Sequence, residues 1–202
     1  MRSNHVRSRR DGEFFGAGLT AYVALALALR ETGLPRRRER RLFRLLNSER
    51  VSGPVPLVAQ QLGTPWTLPA LAVVARLFGR RRLAWASALA LPVEKLTEVA
   101  TKELSKRPRP AQVMPALRLR DDAPTEGSSY PSGHAAISAC AVALAAPHLP
   151  GPVSALLAGA STLTAYRRVE QGAHFPTDSL GGICLGLSVA SGLRLLVGYD
   201  PI

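Results

Sequence analysis

Three short stretches of this 202-residue chain hold residues that could grip and transform an anion. The first reads K-E-L-S-K-R-P-R-P and contains Lys102 and Arg109. The second, Tyr130-Pro131-Ser132-Gly133-His134, runs straight into the apolar stretch Ala135 to Ala146. The third reads R-R-V-E-Q-G-A-H-F-P-T-D and contains Arg168, His174 and Asp178. A helix starting at Gly133 would present unpaired N–H groups and partial positive charge, which together form a ready anion site. A tetrahedral phosphate has several oxygens to satisfy. Arginine pairs with two at once and lysine adds a point charge, while the Ser132 hydroxyl and Gly133 N–H are neutral donors. His134 and His174 supply two imidazoles that titrate near neutrality. Asp178 follows His174 by four residues and is expected to accept a hydrogen bond from its Nδ1, as in other activated nucleophiles. The set points to phosphoryl transfer through a phosphohistidine, with no metal required and with cationic groups stabilising the transition state.

Each stretch abuts an apolar segment, so the elements that must position it are helices. The apolar runs predict about six membrane-spanning helices: Phe14 to Leu29, Val55 to Phe78, Leu83 to Ala100, Gly133 to Pro147, Val153 to Tyr166 and Ser179 to Val197. The first has a basic flank like a signal peptide but no small-residue cleavage site after it, and reads as a short first span. The second contains Pro56, Pro65 and Pro69 and is expected to bend or break around Gly63-Thr64-Pro65. Glu94, Glu98 and Lys102 recur every four residues on one helix face, which predicts structural ion pairs at the membrane boundary for both glutamates. Several runs hold fewer than the roughly 20 apolar residues that a bilayer core requires, which leaves a soluble helical bundle as the alternative.

Between the first two runs, Arg36 to Arg50 intersperses arginines with Leu42, Phe43, Leu45 and Leu46. That pattern fits either an amphipathic helix on the membrane surface or a solvated charged connection. The formal net charge of +12 comes from 23 arginines and 3 lysines against 14 acids. Such basicity suits phosphate-bearing or anionic-lipid partners. Nucleic acid is excluded because the arginines are scattered over several connections without interleaved aromatics. Arg107, Arg118 and Arg120 read as headgroup anchors, and Glu126 as a solvent-facing loop residue. Cys140 and Cys184 lie in apolar runs and are expected to be buried and unpaired.

Lys102-x6-Arg109-Pro110, then Pro131-Ser132-Gly133-His134, then Arg168-x5-His174-x3-Asp178 resemble the three-part signature of the type 2 phosphatidic acid phosphatase superfamily (PAP2), which also contains bacterial acid phosphatases and vanadium haloperoxidases. The motifs span residues 102–178, and the apolar runs extend the resemblance over most of the chain after Val55. The resemblance implies an all-α membrane bundle in two parts. Residues 1–54 would form a basic segment, a first helix and an amphipathic connection, and residues 55–202 a catalytic helical domain. It implies that Lys102, Arg109, Ser132, Gly133 and Arg168 hold the phosphate. His174 would be the nucleophile, His134 would protonate the leaving oxygen, and Asp178 would orient His174, with no cofactor. The family usually places serine before its third-motif arginine. Arg167 stands there instead, which puts one phosphate contact in question and would favour a more anionic substrate. The implied activity is hydrolysis of a lipid phosphate or diphosphate at a multi-pass membrane protein with an extracytoplasmic site. The alternatives are a non-catalytic protein that binds or moves anionic lipids, and a vanadate-dependent peroxidase.

Overall fold

The computed structural model describes residues 2–32, 35–48, 53–114, 116–120 and 123–198. The elements in order are α1 (Arg2–Thr32), α2 (Arg37–Ser48), α3 (Pro54–Gln61), α4 (Thr67–Leu77), α5 (Arg81–Ser105), the single turn α6 (Pro110–Val113), α7 (Gly133–Ala145), α8 (Gly151–Glu170) and α9 (Pro176–Val197). A 3-10 turn, Ala146–His148, links α7 to α8. The described residues contain no strand.

Helix α9 is the spine. Its glycines let α7 come close. A Cβ on Gly182 would collide with the Ser132 carbonyl, and one on Gly186 with the Ala136 carbonyl. Small residues at such crossings replace the driving force that water supplies to soluble bundles. Helix α1 lies along another side of α9. Arg194 of α9 pairs with Asp11 of α1 near one end. Toward the other end, Tyr22 Oη donates to Thr101 Oγ1 of α5 (2.6 Å) and the Tyr22 carbonyl accepts from Tyr130 Oη (2.9 Å). The core between α1, α4, α5, α7 and α9 includes Leu68, Ala90, Ile137, Cys140 and Leu144. Cys140 is buried and Cys184 half-buried, and both are free thiols.

Large apolar side chains face outward around this bundle, among them Leu77, Phe78, Trp85, Leu96, Leu156 and Leu196. A soluble bundle would turn such a belt inward, whereas lipid accepts it. Ser8–Leu29 and Pro176–Val197, each 22 residues, are long and apolar enough to cross a bilayer. The first exceeds the apolar run Phe14 to Leu29 because the helix continues through polar Ser8 to Glu13.

The run Val55 to Phe78 breaks around Gly63-Thr64-Pro65, as its prolines led one to expect, into the two short helices α3 and α4; two other expectations are corrected here. Gln61 ends α3, and its carbonyl accepts from the Thr64 and Thr67 hydroxyls at 2.8 Å each, closing a turn before Pro65 can continue a helix. Glu94 makes no salt bridge among the described residues, because Lys95 and Lys102 both reach Glu98 instead. Within the segment 36–50, Arg37–Ser48 is an amphipathic helix, yet its inward face meets protein. Glu39, Phe43 and Asn47, spaced four apart, dock onto the loops after α5 and α8. Phe43 packs edge-on to Phe175 at 5.2 Å, and Asn47 Nδ2 donates to the Arg118 and Glu170 carbonyls at 2.8 Å each. Arg37, Arg41 and Arg44 remain exposed on the other face.

Candidate active site

The three sequence stretches converge at one end of the bundle, each held by a helix terminus. Lys102 stands in the last turn of α5, which stops at Lys106 in a left-handed conformation (φ 43°). The chain then turns across the bundle and brings Arg107 and Arg109 inward. Tyr130–Pro131 is a cis peptide leading into Ser132, and α7 begins at Gly133. Arg168 lies in the last turn of α8; Gly172, at φ 83°, reverses the chain, and His174 follows just before Pro176 starts α9.

A cavity of about 200 Å³ is lined by Lys102, Arg109, Gly133, His134, Arg168 and His174, together with Lys95 and Glu98. Six of the eight expected site residues therefore share one wall. Ser132 and Asp178 are fully buried and not part of it. The Ser132 hydroxyl has no hydrogen-bond partner among the described residues. A wider basin of about 530 Å³ lies alongside and shares Lys102 and Arg109 with this cavity.

The cations are fixed before any ligand arrives. Arg109 donates from Nε to the Glu126 carbonyl (2.6 Å) and from Nη1 to the Ala173 carbonyl (2.9 Å). Arg168 Nη1 donates to Gln171 Oε1 (2.8 Å), and Gln171 Nε2 in turn to Gln60 Oε1 (3.0 Å). His134 rests on Gly63, where a Cβ would come within 2.8 Å of its own. The Gly63 break in the run 55–78 thus makes room for a site histidine.

His174 is oriented differently from the sequence expectation. Its Nδ1 is 2.7 Å from the Ser129 carbonyl and 3.9 Å from Asp178 Oδ2. A carbonyl can only accept, so Nδ1 carries the proton and Nε2 keeps its lone pair. The reason is local. Phe175 is extended (ψ 160°), so His174 and Asp178 are not on consecutive turns of one helix. Asp178 Oδ2 instead turns back to the Phe175 N–H (2.7 Å) and accepts from the Ser129 hydroxyl (2.5 Å). Asp178 thus supports Ser129, and Ser129 orients His174. Burial first, and then the charges of Arg109, Arg168 and Lys102, push His174 well below its ordinary pKa of 6.5. The imidazole is neutral at pH 7.

Arg107, Arg120 and Arg167 also depart from their sequence readings. Arg107 is fully buried rather than a headgroup anchor; it pairs with Asp178 (2.5 Å) and Glu39 (2.6 Å) and lies 4.8 Å above the Phe175 ring. Arg120 Nη1 pairs with Glu170 Oε1 at 2.9 Å. Arg167 is buried and pairs with Glu170 Oε2 at 2.5 Å, so the residue standing where the family usually has serine is committed to a carboxylate. Sequence reading missed Glu39, Arg107 and Ser129 as site residues. Arg107-Pro108 mimics Arg109-Pro110, and only the six-residue spacing from Lys102 separates them.

A membrane-type helical bundle with a preformed cationic cradle and two histidines is a defined class of protein. The PAP2 superfamily model matches residues 81–201, and the chain belongs to that superfamily. Among solved structures it is similar to LpxE from Aquifex aeolicus, with 26% identity and a TM-score of 0.66 over 77% of this chain and 93% of that one. It shares its fold with a transmembrane PAP2-type phosphatidylglycerolphosphate phosphatase from Bacillus subtilis, at 24% identity and a TM-score of 0.65 over 89% of this chain and 94% of that one. No curated protein sequence gives a significant match.

Proposed function

We propose that this protein is a membrane phosphatase that hydrolyses a lipid phosphate or diphosphate through a phosphohistidine at His174, without a metal. The observation that carries the reading is one cavity that brings together four cations, Lys95 among them, and two imidazoles, with His174 Nδ1 tied to a carbonyl. Lys102, Arg109 and Arg168 hold the phosphate oxygens, aided by the α7 N-terminus at Gly133. His174 Nε2 attacks phosphorus as the bond to the leaving oxygen breaks, and His134 gives that oxygen its proton. Water then attacks the phosphohistidine while His134, now neutral, takes a proton from it; His174 leaves and inorganic phosphate is released. The exposed apolar belt supports a substrate whose tail stays in lipid while its head enters the cradle. Several helices cross the membrane, and the site opens on the extracytoplasmic side, as the family resemblance implies.

The test is phosphate release by the purified full chain from phosphatidate, phosphatidylglycerol phosphate and polyprenyl diphosphate in mixed micelles. Activity should survive EDTA and fall with vanadate, which mimics five-coordinate phosphorus. Acid quench should trap label on His174. Label on His134 or Ser132, or activity lost in EDTA and restored by Mg²⁺, would refute the mechanism.

A further inference from the structure

Glu98 stands inside the cradle. Its two carboxylate oxygens are held by Lys102 Nζ and Lys95 Nζ, each at 2.6 Å, and its side chain is 9% exposed. It lines the same cavity as Arg109, Arg168 and both histidines. It also lies against the start of α7, since a Cβ on Gly133 would come within 2.7 Å of both carboxylate oxygens. Lys102 and the α7 N-terminus are two of the groups assigned to phosphate. A carboxylate of this chain engages the first and adjoins the second.

We propose that Glu98 is the resident counter-anion of the cradle and sets how tightly it holds phosphate, which makes it an affinity- and specificity-determining residue. The inference rests on the phosphate-cradle reading above. Substrate binding transfers Lys102 from Glu98 to a phosphate oxygen, while Lys95 keeps the carboxylate in place. The exchange lets the cradle stay neutralised when empty. It also weakens both substrate and product, because a fixed negative charge stays beside the bound anion. A cradle of bare cations would bind inorganic phosphate strongly and release it slowly. Glu98 offsets that hold and keeps the cations usable for the transition state, where charge is greatest.

The experiment compares vanadate binding by calorimetry, and inhibition by inorganic phosphate, for wild type, Glu98→Gln and Lys95→Gln in detergent. Glu98→Gln keeps the shape and a hydrogen-bond acceptor for Lys102 but removes the competing charge. Vanadate and phosphate should bind it about tenfold tighter or more, with a lower KM and a lower kcat from slow product release. Lys95→Gln leaves the carboxylate to Lys102 alone, so anions should bind more weakly, the opposite sign. A residue that merely positions Lys102 would behave otherwise, with Glu98→Gln weakening anion binding. That result, or unchanged affinity in both variants, overturns the proposal while a wild type that hydrolyses lipid phosphate preserves the function reading. A wild type that neither hydrolyses lipid phosphate nor binds vanadate overturns both. Should Glu98→Gln fail to fold, Glu98→Ala decides instead: vanadate and phosphate bound more tightly than by wild type support the proposal, and equal or weaker binding overturns it.

Discussion

Arg107 and Asp178 form an ion pair at 2.5 Å in which neither side chain is exposed to solvent. Around it a chain of contacts runs from α2 to His174. Glu39 holds the other end of Arg107, Asp178 accepts from the Ser129 hydroxyl, and the Ser129 carbonyl accepts from His174 Nδ1. The pair ties the α5 exit loop to the start of α9 and so closes the site from behind.

Breaking a buried pair by removing one partner leaves an uncompensated charge, at a cost of about 3–5 kcal/mol. Arg107→Met should therefore lower the thermal unfolding midpoint in detergent sharply. Asp178→Asn leaves Arg107 paired with Glu39 and keeps an acceptor for the Phe175 N–H, so it should retain the fold, but it loses much of kcat because Ser129 no longer holds the imidazole firmly. An Arg107→Met protein that melts like wild type would show that the pair is not structural.

The two histidines should separate by leaving group. A lipid alkoxide needs a proton as it departs, whereas p-nitrophenolate needs it far less. His174→Ala should abolish turnover of both substrates and leave no phosphoenzyme. His134→Ala should lose about 10²–10⁴-fold on lipid and far less on the aryl phosphate. Equal losses on the two substrates would remove His134 from the general-acid role.

His174 is neutral in the native state because burial, Arg109, Arg168 and Lys102 all depress its pKa below 6.5. In the unfolded chain it titrates near 6.5, so between that pH and the lower native pKa the unfolded state binds more protons. Stability from this group is complete above about pH 6.5 and is lost as pH falls through the window, at up to about 1.4 kcal/mol per pH unit. The acid limb of kcat/KM set by His174 lies below 6.5 for the same reason. Lys102→Met removes one depressing charge and should move that limb upward. A limb that moves down, measured on residual activity, would contradict the assignment.

Topology can be read with cysteines in a background lacking Cys140 and Cys184. Thr125 is exposed in the loop on the site side, and α2 docks onto that same side through Glu39 and Asn47. Cysteines at Thr125 and at exposed Arg41 should react together with an impermeant reagent in intact cells. One at Arg81, at the far end of α5, should react only after the membrane is opened. Labelling of Thr125 without Arg41 would separate α2 from the site, and the reversed pattern would invert the protein.

What the sequence settles by itself is local. The spacing Lys102-x6-Arg109, the start of α7 at Gly133 and the run Arg168 to Asp178 are short-range facts. The apolar runs place α8 and α9 but not their ends at the site, since α8 continues past Tyr166 to Glu170 and α9 starts at Pro176 rather than Ser179. The short-range facts were enough to identify the family and six of the residues that line the cavity. The outward belt also follows, since apolar runs remain apolar whatever they pack against.

The tertiary structure alone decides which of several equivalent groups meets which. Arg107 and Arg109 stand in the same dipeptide. The closure of residues 107–129, tied by the Ser129 N–H to the Arg107 carbonyl at 2.8 Å, sends one to Asp178 and leaves the other on the cavity wall. The four-residue step from His174 to Asp178 reads as a direct bond, but extended Phe175 between them hands the Nδ1 proton to Ser129. Glu98 reads as part of a structural ion pair at the membrane boundary on α5. Only the approach of α7 at Gly133 turns it into a wall of the cradle. Helix α2 reads as a free basic amphipath, and only its fit to Arg107, Phe175 and Glu170 docks it over the site. A helix specifies its own ends and faces. The partner of a buried charge depends on how distant segments close, and that is fixed by satisfying every buried polar group at once.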